Sequence, residues 1–251
     1  MEDRGALPRI ADVNSFEDLA QRIPEFRKDY WIFRGVTNHT YDLKPKIGRP
    51  ESAKLLDLGD QDPAQYRREQ EELLTNLFKR TAAPYVMHEP KTTLEWLALA
   101  QHHGMHTRLL DWTESLLIAA YFAVEKGKKY VTGDDGKPDR RFPMIFCARS
   151  IPVADKDKQN NLDELQDVAL YHPPHISPRI PAQRSVFTVH KNPTQPYDSP
   201  HMVRLTIKGS PMKLKFDLNA CGINRASLFP DIDGLAQHNS WLFKWGKLPP
   251  G

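Results

Sequence analysis

The run "SLLIAAYFAV", residues 115–124, constrains the fold most. A helix made of these residues is apolar on every side, so it belongs at the centre of the protein. It is also too short to cross a bilayer, which takes about 20 residues. No run of about 18 apolar residues occurs elsewhere, and no membrane-spanning helix is expected. The chain is 251 residues long, enough for one large domain or two small ones around such a core. Apolar residues make up 39% and are spread along the chain, which excludes a disordered tail. The formal charge of +3 does not by itself indicate nucleic acid. The start, "MEDRGALPRIADVNSF", lacks the apolar core of a signal peptide. Cys147 and Cys221 are far apart and belong to no CxxC pair. A cytoplasmic protein without disulfides is the expectation.

Around the apolar run the other elements read as follows. Residues 1–14 form a loose lead-in, and "SFEDLAQRI" a helix with Ser15 and Asp18 as a capping box. "YWIF", residues 30–33, reads as a buried strand ending in Arg34 and Gly35, followed by the Pro- and Gly-broken loop "YDLKPKIGRP". Residues 62–82 are a long amphipathic helix whose apolar side carries Leu73, Leu74, Leu77 and Phe78, the charged side facing solvent. "TTLEWLALAQHHGM" is a helix capped by Thr92 and ended by Gly104. "DWTESLLIAAYFAVEKG" is taken whole as the central helix, stopped by Gly127. Residues 131–142 form a polar, turn-rich loop, whose composition alone does not make it a lid. "PMIFCAR", "SVFTVHK" and "HMVRLTIK" are strands, residues 151–182 are irregular, and the tail is helical with a break at Phe229-Pro230. This order predicts an α+β fold.

Four clusters bear on chemistry. Arg34 ends an apolar strand, where an unpaired guanidinium is costly to bury. Either it clamps an anion such as phosphate or carboxylate, or it pairs with an internal carboxylate. Gly35 beside it admits the close approach of a backbone or a ligand. The second cluster is "AQHHGMHTRLLDWTES", with His102, His103, His106, Arg108, Asp111, Trp112 and Thr113. Asp111 or Thr113 suits the cap of the apolar helix, and an Arg108–Asp111 ion pair would pin the loop. A zinc site is the weaker reading, because Gly104 separates His102 from His106 and no cysteine completes the set. Third, Arg179, Gln183 and Ser185 stand at a loop–strand junction. Fourth, Asp231 and Asp233 flank a proline turn and suit a helix cap, with a catalytic carboxylate pair as the weaker alternative. There is no P-loop, GxGxxG, GxSxG or HExxH.

"WIFRG", "LALAQHHGMHTRLLDWTESLLIAAYFA", "RIPAQRSVFTVH" and "LFPDIDGLAQH" together resemble the FRG domain of bacteria and phages, across residues 30–240. The name follows the Phe-Arg-Gly of Phe33, Arg34 and Gly35. More distantly, the blocks resemble ADP-ribosyltransferases. In those proteins an arginine at the end of the first core strand grips NAD, as Arg34 would here. A Ser-Thr-Ser type motif and a helix follow on the next strand, where this chain has Asp111, Trp112 and Thr113. A late strand supplies a catalytic glutamate, where this chain has Gln183 and then Ser185. Serine cannot carry that charge, so Asp111 or Asp231 would stand in, the mechanism would be modified, or a nucleotide would bind without chemistry.

The resemblance implies a single-domain α+β protein with an ADP-ribosyltransferase-like core of short strands in split, mostly antiparallel sheets surrounded by helices. Residues 1–24 would be a lead-in and helix, and residues 25–245 the FRG domain. It implies NAD as substrate and a nucleic-acid or protein acceptor, in a bacterial toxin or phage-defence effector. Arg34, His103, Asp111 and Thr113 would be catalytic. Phe33, Gly35, His102, Arg108, Trp112, Gln183 and Ser185 would join Arg34 in holding the nucleotide. The alternative is a nucleotide- or nucleic-acid-binding FRG module without turnover.

Overall fold

A computed structural model of the protein describes residues 10–50, 62–86, 89–126 and 141–247. In chain order the elements are β1 (Ile10–Val13), α1 (Phe16–Arg22), β2 (Ile32–Val36), α2 (Pro63–Ala82), α3 (Thr93–His102), β3 (Leu109–Thr113), α4 (Leu116–Val124), β4 (Met144–Ala148), β5 (Val168–Tyr171), α5 (Arg179–Gln183), β6 (Ser185–His190), β7 (Val203–Ile207), α6 (Pro211–Ala220), α7 (Arg225–Leu228) and α8 (Ile232–Lys244). The fold is α+β, as the order of elements predicts. Its strands form one seven-stranded sheet, β1-β7-β4-β2-β3-β6-β5, rather than separate sheets. Only β1 and β7 pair in parallel; the other neighbours are antiparallel.

The apolar run is buried where its composition requires. Ala119, Ala120, Tyr121, Ala123 and Val124 of α4 pack on Trp31 just before β2, Phe33 of β2, Ile145 and Cys147 of β4, and Leu205 and Ile207 of β7. Leu214 and Leu218 of α6 close the same cluster. Gly35 is explained by this packing. A Cβ there would lie 1.8 Å from the carbonyl oxygen of Ala119, so the close partner is the backbone of α4. Leu94, Leu97 and Ala98 of α3 cover the other half of the sheet, on Leu109, Phe187 and Val189.

The two halves meet weakly. Strand β2 keeps five register pairs with β4, Ile32↔Ala148 to Val36↔Met144, and β3 keeps five with β6. Between β2 and β3 the register is the single pair Phe33↔Thr113. Beyond that pair the two strands leave their facing backbone groups without a ladder, and these groups need other partners.

Several expectations are corrected. Ile10–Val13 is an edge strand and not a loose lead-in; four residues with one fully buried side chain, Val13, give no periodic signal. The stretch read as one helix from Asp111 is strand, turn and helix, and Ser115 rather than Asp111 or Thr113 caps α4, by accepting from Ile118 N. Val168–Tyr171 is a strand inside the stretch read as irregular. Helix α2 has the expected span but a different inward face: of the expected apolar residues only Phe78 packs inward, against Trp96. Leu73, Leu74 and Leu77 are exposed, whereas Arg67, Glu71 and Thr75 are buried. A buried ion pair, described below, decides the face. The expected caps hold elsewhere: Ser15 accepts from Asp18 N, Thr92 from Glu95 N, and Asp231 from Gly234 N. In α1 the Asp18 carboxylate accepts from Asn14 N. Gly104 ends α3 at φ +92°. Gly127 and most of the loop at 131–142 lie outside the described residues.

Candidate functional site

Arg34 lies at the gap between β2 and β3. Its side chain is 17% exposed. Its Nη1 donates to the backbone carbonyl of Asp111 at 2.6 Å and lies 3.5 Å from the Asp111 carboxylate. The guanidinium therefore serves a carbonyl that β2 does not pair. Of the two readings left open for Arg34, a carboxylate partner is found, Asp111, although that carboxylate is not an internal one. The Asp111 side chain is 58% exposed, at the mouth of a cleft. Burial lowers the pKa of Arg34, the Asp111 carboxylate opposes that shift, and nearby Arg49 adds to it.

The cleft has a volume of about 730 Å³, within the range of small-molecule sites. Phe33, Arg34, Gly35, Asp111, Trp112, Thr113, Gln183 and Ser185, widely separated in sequence, all line it. Its cations are Arg34, Lys44, Arg49 and Lys126, and its carboxylates Asp42, Asp111 and Glu125. A smaller compartment of about 300 Å³ shares Arg34, Arg49 and Asp111 and adds Lys46 and Gln101. Three cations face one carboxylate in this compartment, so it favours an anion. Lys44, Lys46 and Arg49 come from the loop after β2, and none was picked out from the sequence. The available signal was three basic residues in "LKPKIGR", beside a strand ending in arginine.

Several side chains are fixed by one another. Thr113 Oγ1 donates to Gln183 O at 2.7 Å and accepts from Ser115 N at 3.1 Å. Gln183 Nε2 donates to Leu228 O at 3.0 Å. Arg184, at φ +47°, ends α5 and turns the chain so that Ser185 pairs with Thr113. Trp112 Nε1 donates to Thr188 Oγ1 at 2.9 Å, and the Thr188 hydroxyl lies 2.9 Å from His190 Nε2. His190 is buried on the Arg34 side of β6, and burial first, then Arg34, lowers its pKa to about 3.

That shift gives a pH dependence. In the unfolded chain the imidazole takes a proton near pH 6.5, and in the fold it stays neutral. Its contribution to stability is therefore complete above pH 6.5 and is lost as the pH falls towards 3. Urea unfolding across that interval should show a loss of about 1.4 kcal/mol per pH unit from this group. His190→Gln should remove that slope, and an unchanged slope would exclude His190 as its source.

The remaining predicted residues lie elsewhere. His102 ends α3 half-buried, and burial first, then Arg179, lowers its pKa to about 4. His103 follows as the exposed C-cap of α3, its ring 5.7 Å from that of His102. Neither lines the cleft. Arg108 does not pair with Asp111. Its backbone N and Nε both donate to Glu71 of α2, and the two side chains are 7% and 3% exposed. Burial raises the pKa of Glu71, and Arg108 opposes that shift. Asp231 is paired with Arg179 at 2.9 Å besides capping α8, away from the cleft. No cluster of His, Cys, Asp or Glu among the described residues could hold a metal ion. No described helix is long and apolar enough to cross a membrane.

Residues 29–131 match the family model of the FRG domain. Over this segment the chain is similar to the FRG domain. The segment contributes β2, α2, α3, β3 and α4, and with them both Arg34 and Asp111. The other cleft wall, Gln183 and Ser185, lies beyond the FRG match. No curated protein and no solved structure matches the chain.

Proposed function

We propose that the cleft binds NAD and that the protein is an ADP-ribosyltransferase-like enzyme acting in the cytoplasm, as a toxin or phage-defence effector. The observation that carries this reading is Arg34 at the gap of the sheet, with Lys46 and Arg49 around one compartment and an exposed carboxylate at its mouth. The diphosphate takes the compartment of Arg34, Lys46 and Arg49, where guanidinium forks match phosphate oxygens. The nicotinamide ribose then extends past Asp111 towards Gln183 and Ser185.

The reaction asks little of the protein beyond orientation and charge. The bond between C1′ and the nicotinamide nitrogen breaks, and its electron pair discharges the pyridinium, so nicotinamide leaves neutral. The sugar becomes oxocarbenium-like at C1′. A hydroxyl or amine of the acceptor bonds to C1′ and releases its proton to a carboxylate or to water. Ser185 carries no charge for this task. Asp111 supplies it, because its carboxylate lines the cleft, whereas Asp231 does not. Binding without turnover is the second reading, favoured by Ser185 and by the tie between Asp111 and Arg34.

Thermal unfolding tests the binding step. NAD at a hundredfold over its Kd should add about 2.7 kcal/mol to the stability of the wild type. Arg34→Ala should lose this gain. ADP-ribose should stabilise like NAD, and nicotinamide alone should not. If no nucleotide shifts the wild type, both readings fail.

A further inference from the structure

Helix α8 carries an apolar arc wider than the protein covers. Its inner side is taken up: Trp241 and Trp245 pack on Phe216 of α6, and Gly234 meets the backbone of Phe229. The adjoining side holds Ile232, Leu235, Ala236, Leu242 and Phe243, at helical spacings that put them on one stripe with Asn239 in its middle. Ile232 is 85%, Leu235 53% and Phe243 74% exposed. Single exposed apolar residues are ordinary, but a contiguous stripe marks an interaction surface. Helix α8 lies outside the segment matched to the FRG domain.

The stripe is complementary to itself. Leu235 and Phe243 stand at equal distances on either side of Asn239, and so do Ala236 and Leu242. Two copies of α8 laid antiparallel about a two-fold axis at Asn239 therefore set Leu235 against the partner's Phe243, and Leu242 against the partner's Ala236. Ile232 then covers the end of the partner's helix. Such an axis keeps the polar flanks of the two helices on the same side of the seam. The exposed Asp233, near the start of α8, comes level with the exposed Lys244 at the end of the partner's helix. Opposite charges thus meet at both ends, whereas a parallel pair gives Asp233 no cation at its level. At the axis the Asn239 amide meets its own copy, and each both donates and accepts. A single polar residue in an apolar seam fixes the register of paired helices.

We propose that α8 is the contact of a symmetric dimer of this chain, antiparallel across Asn239. The helix is about 20 Å long, so by itself it covers less than the roughly 800 Å² per partner of a stable interface. The dimer is accordingly a weak one, forming at micromolar concentrations. No residue of the stripe lines the cleft, so the dimer does not rest on the NAD reading.

The test follows the mass of the full chain by sedimentation velocity across the micromolar range, where it should rise from that of one chain towards that of two. Leu235→Glu and Phe243→Glu should each raise the dissociation constant by about tenfold or more, because each removes an apolar anchor from the seam. Both positions are exposed in the single chain, so where the wild type is monomeric all three proteins should unfold at the same temperature. Cysteine cross-linking reads the register. With the exposed Cys221 replaced by serine and Cys147 buried, Asn239→Cys should form an intermolecular disulfide, since a residue on the axis meets its own copy. Gln237→Cys, on the polar flank, should not. A chain that stays monomeric throughout overturns the proposal. So does dimerisation indifferent to both glutamate variants, which would place the contact on another face, such as the leucines of α2. Cross-linking through Gln237→Cys and not through Asn239→Cys overturns the antiparallel arrangement.

Discussion

Glu71→Ala should cost about 3–5 kcal/mol of folding stability, the cost of leaving one partner of a buried ion pair alone. The pair is almost free of solvent, at 3% and 7% exposure for Glu71 and Arg108. Glu71 also accepts from the backbone N of Arg108, so the substitution orphans a buried amide together with the guanidinium. Little else offsets the loss, because α2 turns its leucines outwards. Chemical unfolding in urea measures the effect. Arg108→Ala should cost a similar amount. Replacing both residues with methionine should recover the part due to an unpaired charge, since neither charge remains, but not the part due to the orphaned Arg108 amide. A loss below 1 kcal/mol for Glu71→Ala would show that water reaches the pair. The effect should extend to function, because Arg108 immediately precedes β3, which carries Asp111.

Asp111→Asn should lower the rate of nicotinamide release from NAD by about 10²–10³, the effect of removing one preorganised electrostatic group. The substitution is close to isosteric and keeps the backbone carbonyl that Arg34 serves, so the sheet gap stays bridged. NAD should still stabilise the variant, which separates the chemical step from binding. Release assays on the wild type and on Asp111→Asn, with Ser185→Glu as a third protein, give the comparison. The glutamate variant places a carboxylate where the ADP-ribosyltransferase resemblance has one, and it should raise the rate. An unchanged rate in Asp111→Asn would assign the carboxylate role elsewhere in the cleft. Absence of release from the wild type, with NAD bound, would select the binding module.

Local chemistry made part of this protein legible in its residues. An all-apolar helix has one place to go, and α4 went there. Alternating or clustered β-formers made β4, β6 and β7, and hydroxyls and carboxylates at the right offsets capped α1, α3 and α8. Phe33, Arg34 and Gly35 marked one wall of the cleft, and Asp111 to Thr113 and Gln183 to Ser185 marked two more. These signals reside in neighbouring residues, where period and capping act.

What only the tertiary structure decided depends on partners distant in sequence. Glu71 and Arg108 set the face of α2 against its leucine pattern, because an unpaired buried charge costs more than a few exposed leucines. Edge pairing made strands of Ile10–Val13 and Val168–Tyr171, whose own residues signal little. The single Phe33↔Thr113 pair opened the sheet beside Arg34, and that opening brought the loop cations to it. Arg34 reads in the sequence as a charge in need of a partner; a backbone carbonyl left unpaired between two diverging strands supplied one.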